Sequence, residues 1–420
     1  MGVAVPRVDA RVEGSASGRH RHHRHHRHHH RHHRHHRHRS ISTCAVRARA
    51  PVLGPNDVAT AFDARAVSGP IVDARFRDDG EAWTMWYTGT NADGVDSVGV
   101  ATSSDGIAWN RGSGDAVMYR SDGSSNASVD VGRVLGANAE DWWTFDVAGA
   151  CAGDVRLISS DAVRGASVYW MFYHGYDHAA KGAKIDGRRS VDGAEDVTTR
   201  VGLCLSQDGR NWARIEGEHH TGALFDVGEE GAWDHACVRD PKVLLAGPRD
   251  IRVYYASMDP STGTSYIGCA RTKDGFVYPA SDRSAVPMFA PGPPGSFDDA
   301  GVGAPCVARL GKEEFVMFYE AYSARAPGVS SIAVATSRDG VTWTRPSKPA
   351  LERGEEGAWD HGGVGKPYAV PMAGDRVRLY YEGRARAGDD RGSGVGVALS
   401  VDGDRFSFAR RVRADVPGAR

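Results

Sequence analysis

No apolar run in the 420 residues approaches the roughly 18 that a membrane-spanning helix needs, so no membrane span is expected. No Cys-x-x-Cys pair occurs either. The six cysteines stand singly, Cys44 near the N-terminus and Cys151, Cys204, Cys237, Cys269 and Cys306 in or beside strand-like runs. They read as free buried thiols in a reducing compartment. A basic surplus is missing from the body. The formal charge is −1, but residues 1–50 hold 12 Lys/Arg against 2 Asp/Glu, leaving 40 against 51, or −11, for the remainder. An acidic body lacks the footprint that nucleic-acid binding requires.

The leader lacks apolar periodicity. Its His/Arg tract, 20–39, holds 13 of the 19 histidines and cannot bury a core, so disorder is expected. A metal-binding tail is the alternative reading of such a tract. Residues 40–50 are rich in Ser, Arg and Ala and carry no acid, and the apolar stretch of a secretory signal is absent. Residues 1–50 therefore read as an organelle transit peptide of the plastid type, with a chloroplast destination.

What the chain has is glycine, 52 residues of it, and repetition. An aromatic-Asp pair recurs five times: Phe62-Asp63, Phe145-Asp146, Trp233-Asp234, Phe297-Asp298 and Trp359-Asp360. A [Ser/Thr]-x-Asp-Gly element also recurs five times, at 103–106, 206–209, 272–275, 337–340 and 400–403. Trp109, Trp212 and Trp343 follow three of these glycines by three residues, with Tyr278 and Phe406 in the other two copies. From one Asp to the other the gaps are 42, 62, 40, 41 and 42, which is a true repeat with one insertion. Between the signatures lie a β-branched run, a strand ending in Tyr and a small/apolar alternating strand. Asp-Gly closes a hairpin because glycine accepts φ > 0. Four antiparallel strands repeated five times predict an all-β fold, a five-bladed β-propeller over 51–412 with a tail at 413–420. Pro51-Val52-Leu53 resembles Pro349-Ala350-Leu351, so the N-terminal segment is expected to close the ring on the last blade. Insertions interrupt the repeat at 111–142 and at 176–199, the latter expected to overhang the site.

Positions alike in every copy serve the blade. The five Asp of the aromatic-Asp pairs read as strand-entry hydrogen-bonders, the Asp-Gly carboxylates as turn residues and the Trp series as packing between blades. Polar positions that differ between copies are site candidates. After the aromatic-Asp pair come Ala64, Val147, His235, Asp299 and His361. After the strand tyrosine come Thr88, His174, Ala256, Glu320 and Glu382. Both sets should meet at one funnel mouth. Cleaving a glycosidic bond takes two carboxyl groups of separated pKa. Asp240 is read as the ionised carboxylate, oriented by Arg239, with Glu320 or Glu382 as the acid. Asp234, His235, Arg239, His174, Asp299, His361 and Lys366 are read as substrate contacts. A salt bridge from Glu382 to Arg384 is the competing structural reading.

The aromatic-Asp pair, the Tyr strand and the G-x-A-x-S-x-D-G-x-x-W run together resemble the five-bladed propellers of the arabinanase, levansucrase and invertase-like superfamily, which includes glycoside hydrolase families 43, 32 and 68. The resemblance spans about 51–412 and implies a carbohydrate substrate. In that superfamily one Asp commonly sits in an Arg-Asp-Pro element, as Arg239-Asp240-Pro241 does here, a Glu on another blade is the acid, and an Asp on the first inner strand is base or nucleophile. Aligning the inner strands puts Gly69, Ala152, Asp240, Ala304 and Lys366 at one position, so Gly69 stands where those hydrolases carry Asp. The sialidase Asp-box differs by an extra residue and by six blades. No cofactor is expected, and a calcium ion near the axis, held by some members, is the one metal the resemblance allows; His235 and His361 alone are thin support for it. Two other functions compete with hydrolysis. One is a mannoside-type phosphorylase, with Lys366, Arg239, His174, Lys181, Lys184, Arg188 and Arg189 on phosphate. The other is a non-catalytic glycan-binding propeller.

Overall fold

The computed structural model describes residues 50–77, 80–112, 131–159, 167–177, 198–259, 261–311, 314–401 and 403–410. Nearly all of the leader, the 413–420 tail, most of the two insertions and the four basic residues Lys181, Lys184, Arg188 and Arg189 lie outside them.

Strand-forming runs appear where the repeat places them. Blade one holds β1 (Ala66–Arg77), β2 (Gly80–Thr90), β3 (Asp96–Ser103) and β4 (Asn110–Arg111), with β5 (Arg133–Leu135) also on β3. Blade two holds β6 (Gly149–Ser159), β7 (Ser167–Tyr176), β8 (Thr199–Ser206) and β9 (Ala213–Ile215). Blade three holds β10 (Arg239–Gly247), β11 (Asp250–Met258) and β12 (Ser265–Thr272), and blade four β13 (Gly301–Gly311), β14 (Glu314–Tyr322) and β15 (Ser330–Ser337). Blade five holds β16 (Gly363–Met372), β17 (Arg376–Arg384), β18 (Gly394–Val401) and β19 (Asp404–Arg410). All pairs are antiparallel. Blades three and four are thinner than expected: their outer edge is a single bridge, Ala270–Arg283 and Thr336–Thr344. Among the described residues no helix is long and apolar enough to cross a membrane.

The inner strands β1, β6, β10, β13 and β16 neighbour one another in order, and β16 returns to β1. The third strand of each blade takes an edge partner from the segment ahead of the next aromatic-Asp pair: Val98–Leu135, Val201–Phe225, Ile267–Phe289 and Ile332–Leu351. Leu53 does the same for Val395, so the N-terminal segment closes the ring where the Pro51-Val52-Leu53 likeness puts it.

Each aromatic-Asp pair anchors its blade. Asp63, Asp146, Asp234, Asp298 and Asp360 accept from the hydroxyls of Tyr87, Tyr173, Tyr255, Tyr319 and Tyr381 at 2.7–3.1 Å. Each is also ion-paired to an arginine of the blade's outer edge: Arg111, Arg214, Arg283, Arg345 and Arg410. A buried carboxylate without such partners would cost several kcal/mol, of order 3–5. Burial pushes all five tyrosine hydroxyls up, so they remain donors across the physiological range. Among the described residues four Asp-Gly turns repeat as closely. The Asp105 carboxylate, for example, accepts from the N–H groups of Ile107 and Ala108, and the Ser103 hydroxyl oxygen from that of Gly106.

Rings from one blade rest on the second strand of the preceding one. Trp109 meets Tyr380, Trp212 meets Trp86, Trp343 meets Tyr254 and Phe408 meets Phe318, at centroid separations of 6.0–6.4 Å. In blade three the contact on Trp170 comes from Phe276 at 4.9 Å, while Tyr278 packs on Phe225. These contacts seal sheet to sheet and leave the axis to be lined by the inner strands.

Candidate functional site

Every inner strand bulges at the aligned position. The register with the second strand slips between Ser68 and Ile71, Ala152 and Asp154, Arg239 and Lys242, Gly303 and Cys306, and Gly365 and Tyr368. In four blades the slip holds an X-Pro step, and X is left-handed: Gly69 (φ 56), Asp240 (φ 52), Ala304 (φ 42) and Lys366 (φ 43). Glycine takes this conformation freely; for Ala and Lys it stores strain, and such strain is characteristically found at working sites. Blade two has Gly153 in place of Pro, and Ala152 stays regular.

These residues meet across the axis. A Cβ on Gly69 would lie 3.8 Å from the Lys366 stem and 3.7 Å from the Ala152 carbonyl. The candidates that follow the strand tyrosines point across to the next blade. The Thr88 hydroxyl accepts from the Ala152 N–H at 2.9 Å, His174 Nδ1 from the Asp240 N–H at 3.3 Å, and Glu320 Oε2 from the Lys366 N–H at 3.3 Å. Thr88, His174 and Glu320, all buried, thus bind blade to blade.

Asp240 is the electrostatic centre. Burial alone would push its carboxyl up, but Lys366, His174, Arg239 and Lys242 outweigh it and hold the group at about 2. The acceptor role of Nδ1 toward the Asp240 N–H fits a neutral imidazole. Burial takes His174 down to about 4, and the cations Lys366, Arg239 and Lys242 add to that against the pull of Asp240. Lys242, one step below the bulge, is buried, donates to the Gly153 carbonyl and lies 5.1 Å from the Tyr368 ring. Burial lowers its ammonium, with Asp154 pulling the other way.

Glu320 and Glu382 do not stand apart as one acid and one bystander. Arg384, fully buried, reaches Glu320 Oε1 at 2.5 Å and Glu382 Oε1 at 3.5 Å and also donates to the Ser330 hydroxyl. The competing salt-bridge reading of Glu382 is therefore present, and it extends to Glu320. Gly365 makes room for this: a Cβ there would collide with the Glu320 carboxyl carbon, at 2.3 Å.

Asp96 is a carboxylate that sequence reasoning passed over. It opens β3, where blades two to four open with Thr199, Ser265 and Ser330 and blade five has Ser393 just ahead of β18. Comparing the five copies one strand further on would have exposed it. Its oxygens accept from the Thr90 hydroxyl at 2.6 Å and the Cys151 thiol at 3.4 Å, and its N–H donates to the Tyr176 hydroxyl at 3.1 Å. Burial lifts its carboxyl to about 6, against Thr90, Lys366 and Cys151. The folded value lies above the unfolded 3.8, so this group's stabilising contribution is full below pH 3.8 and lost as pH rises through 6. Asp96→Asn should remove that loss. Between pH 4 and 7 the melting temperature of the variant should gain on the wild type, by up to about 3 kcal/mol of stability. A difference that stays constant over that range would contradict the assignment.

Four expected contacts are engaged within the scaffold or by their own loops. Asp234 is buried, and its carboxylate accepts from Tyr255 and Arg283, as each of its four equivalents does from its own Tyr and Arg. Asp299 accepts from the Gly295 and Ala324 N–H groups, both at 2.8 Å, and clasps two loops together. His235 Nδ1 lies 2.6 Å from the Ala232 carbonyl and His361 Nδ1 3.3 Å from that of Gly354, each tied to its own entry loop. Among the described residues no group of three or more His, Cys, Asp or Glu is placed to hold a metal ion.

No protein-family model matches the chain, and no curated protein matches it in sequence. Solved structures do match in fold. A glycosyl hydrolase from Bacteroides ovatus is 14% identical with a TM-score of 0.53, over 87% of this chain and 96% of that one. A thermostable family-43 glycoside hydrolase is 15% identical with a TM-score of 0.52, over 86% and 98%. A third, from work on the GH130 family of mannoside phosphorylases and its hydrolases that target beta-1,2 mannosidic linkages, is 14% identical with a TM-score of 0.52, over 84% and 93%. At these identities the likeness is one of fold, and it bears out the five-bladed architecture expected from the repeats.

Proposed function

We propose that the chain is a carbohydrate-active enzyme that cleaves the O-glycosidic bond of a furanose or pyranose glycan at the axial mouth. The observation that carries this reading is Asp240: a buried carboxylate held at about 2, on a left-handed residue, where the other copies place Gly, Ala, Ala and Lys. An anion fixed in a water-poor site is suited to stabilise the positive charge that develops on a sugar ring as the bond breaks. The leaving oxygen needs a proton. Asp96 retains one up to about pH 6 and is suited to supply it. Glu320 and Glu382 are joined through Arg384.

Phosphorolysis is the second reading. It is favoured by the convergence of Lys366, Arg239 and Lys242 on one carboxylate, more cationic charge than a neutral sugar needs. Reducing-sugar release from a panel of oligosaccharides, run on the full chain with and without inorganic phosphate, tests both. Release without phosphate supports hydrolysis, and sugar phosphate formed only with phosphate supports the second reading. No turnover of any glycan, with binding retained, would replace both with a non-catalytic glycan binder.

A further inference from the structure

Three of the loops that lead into an inner strand turn on a left-handed glycine just before the aromatic-Asp pair: Gly231 (φ 84), Gly295 (φ 89) and Gly357 (φ 79). Blade two closes the equivalent loop with the same hydrogen bond but without a left-handed residue, the Thr144 N–H donating to the Asp141 carbonyl as Ala232 does to Glu229, Ser296 to Pro293 and Ala358 to Glu355. Yet it carries Trp143 at the glycine position and Trp142 before it. The turn needs neither indole. Trp142 is 83% exposed and Trp143 40%.

The loop that carries the two rings is held in place. The Thr144 hydroxyl donates to the Asp141 carbonyl at 2.9 Å, and the Phe145 N–H donates to the Thr221 carbonyl at 3.2 Å, tying the loop to the neighbouring 219–222 turn. That turn presents the exposed His220 beside His219 at 4.1 Å between ring centres. The loop runs directly into β6, whose Ala152 belongs to the axial ring, and the Ala148 N–H donates to the carbonyl of Tyr176 at the end of β7. The pair therefore lies on the face at which the axial site opens.

Size decides what it fits. A Trp buries at most about 250 Å², so the exposed parts of these two offer roughly 300 Å², well below the ~800 Å² per partner of a stable protein interface. It is instead the scale of one or two sugar rings, whose C–H faces stack on indoles while their hydroxyls reach flanking polar groups such as His220. We propose that Trp142 and Trp143 form an aromatic platform for the distal sugars of an oligosaccharide whose scissile bond lies at the axis. This rests on the carbohydrate reading above.

The test is chain-length dependence of binding. Full-length protein is titrated with β-1,2-linked manno- and α-1,5-linked arabino-oligosaccharides of two and of six residues. The wild type should bind the hexasaccharide of one series roughly tenfold more tightly than its disaccharide. Trp142→Ala/Trp143→Ala should erase that gain and leave disaccharide binding unchanged, and Trp142→Phe should keep part of it. A gain that survives in the double variant overturns the platform. So does disaccharide binding with no chain-length gain in the wild type, which leaves the carbohydrate reading standing. Absence of binding in both series removes that reading and the platform with it. A dimer lost on substitution, with the chain-length gain intact, reassigns the patch to contact between copies.

Discussion

Asp240→Asn should lower turnover by about a thousandfold or more while the propeller stays folded. The substitution keeps the shape and most hydrogen bonds and removes the charge, leaving Lys366, Arg239 and Lys242 without the anion they surround. The fold survives because four other blades manage the same bulge without a carboxylate. The effect on stability should be smaller and depend on pH. A carboxyl depressed from 3.8 to about 2 contributes stability above pH 3.8 and loses it as pH falls through 2. The variant should therefore melt below the wild type at pH 7, by on the order of 2 kcal/mol, and match it near pH 2. Activity that persists in Asp240→Asn would move the chemistry away from this residue.

The largest loss of stability should come from Arg384→Met. Arg384 is fully buried between Glu320 and Glu382, and removing it takes the shared cation from two buried carboxylates. Breaking a buried ion pair from one side costs about 3–5 kcal/mol, which for a chain of this size is a fall of roughly 5–10 °C in melting temperature. Neutralising these carboxylates with Glu320→Gln and Glu382→Gln in the same protein should recover much of it, since the cost lies in uncompensated charge. Arg391, whose pair with Asp389 is open to solvent, is the contrast: its removal should leave the melting temperature unchanged. A melting temperature unmoved by Arg384→Met would mean that the cluster carries no buried charge.

The scaffold was legible because it is written five times. Recurring Asp, Tyr and Trp positions identify strand-entry carboxylates, second strands and contacts between blades, and Leu53 could be placed on the last blade from a three-residue likeness. The arginine that meets each aromatic-Asp carboxylate was not read, although Arg111, Arg214 and Arg345 each follow a repeat Trp by two residues. Its partner lies 47–68 residues away in these three blades, so pairing is visible only once the blade closes. Arg384 and Glu320 are 64 residues apart on different blades, which hid the shared ion pair. Backbone handedness was equally hidden. The X-Pro steps mark the bulges, but nothing in the identities of Ala304 or Lys366 says that they are left-handed. Asp234 carried two readings, a substrate contact because it stands near Arg-Asp-Pro and a strand-entry anchor because it has four equivalents; its bonds to Tyr255 and Arg283 are those of the anchor.

The most direct measurement is a crystal structure of the Asp240→Asn variant bound to the glycan that the wild-type chain turns over. The scissile sugar is expected at the axis, against the substituted side chain, Lys366 and His174, with Asp96 and Arg384 in the surrounding wall. Sugar density elsewhere on the propeller, with the axial mouth holding none, would contradict an axial site centred on Asp240.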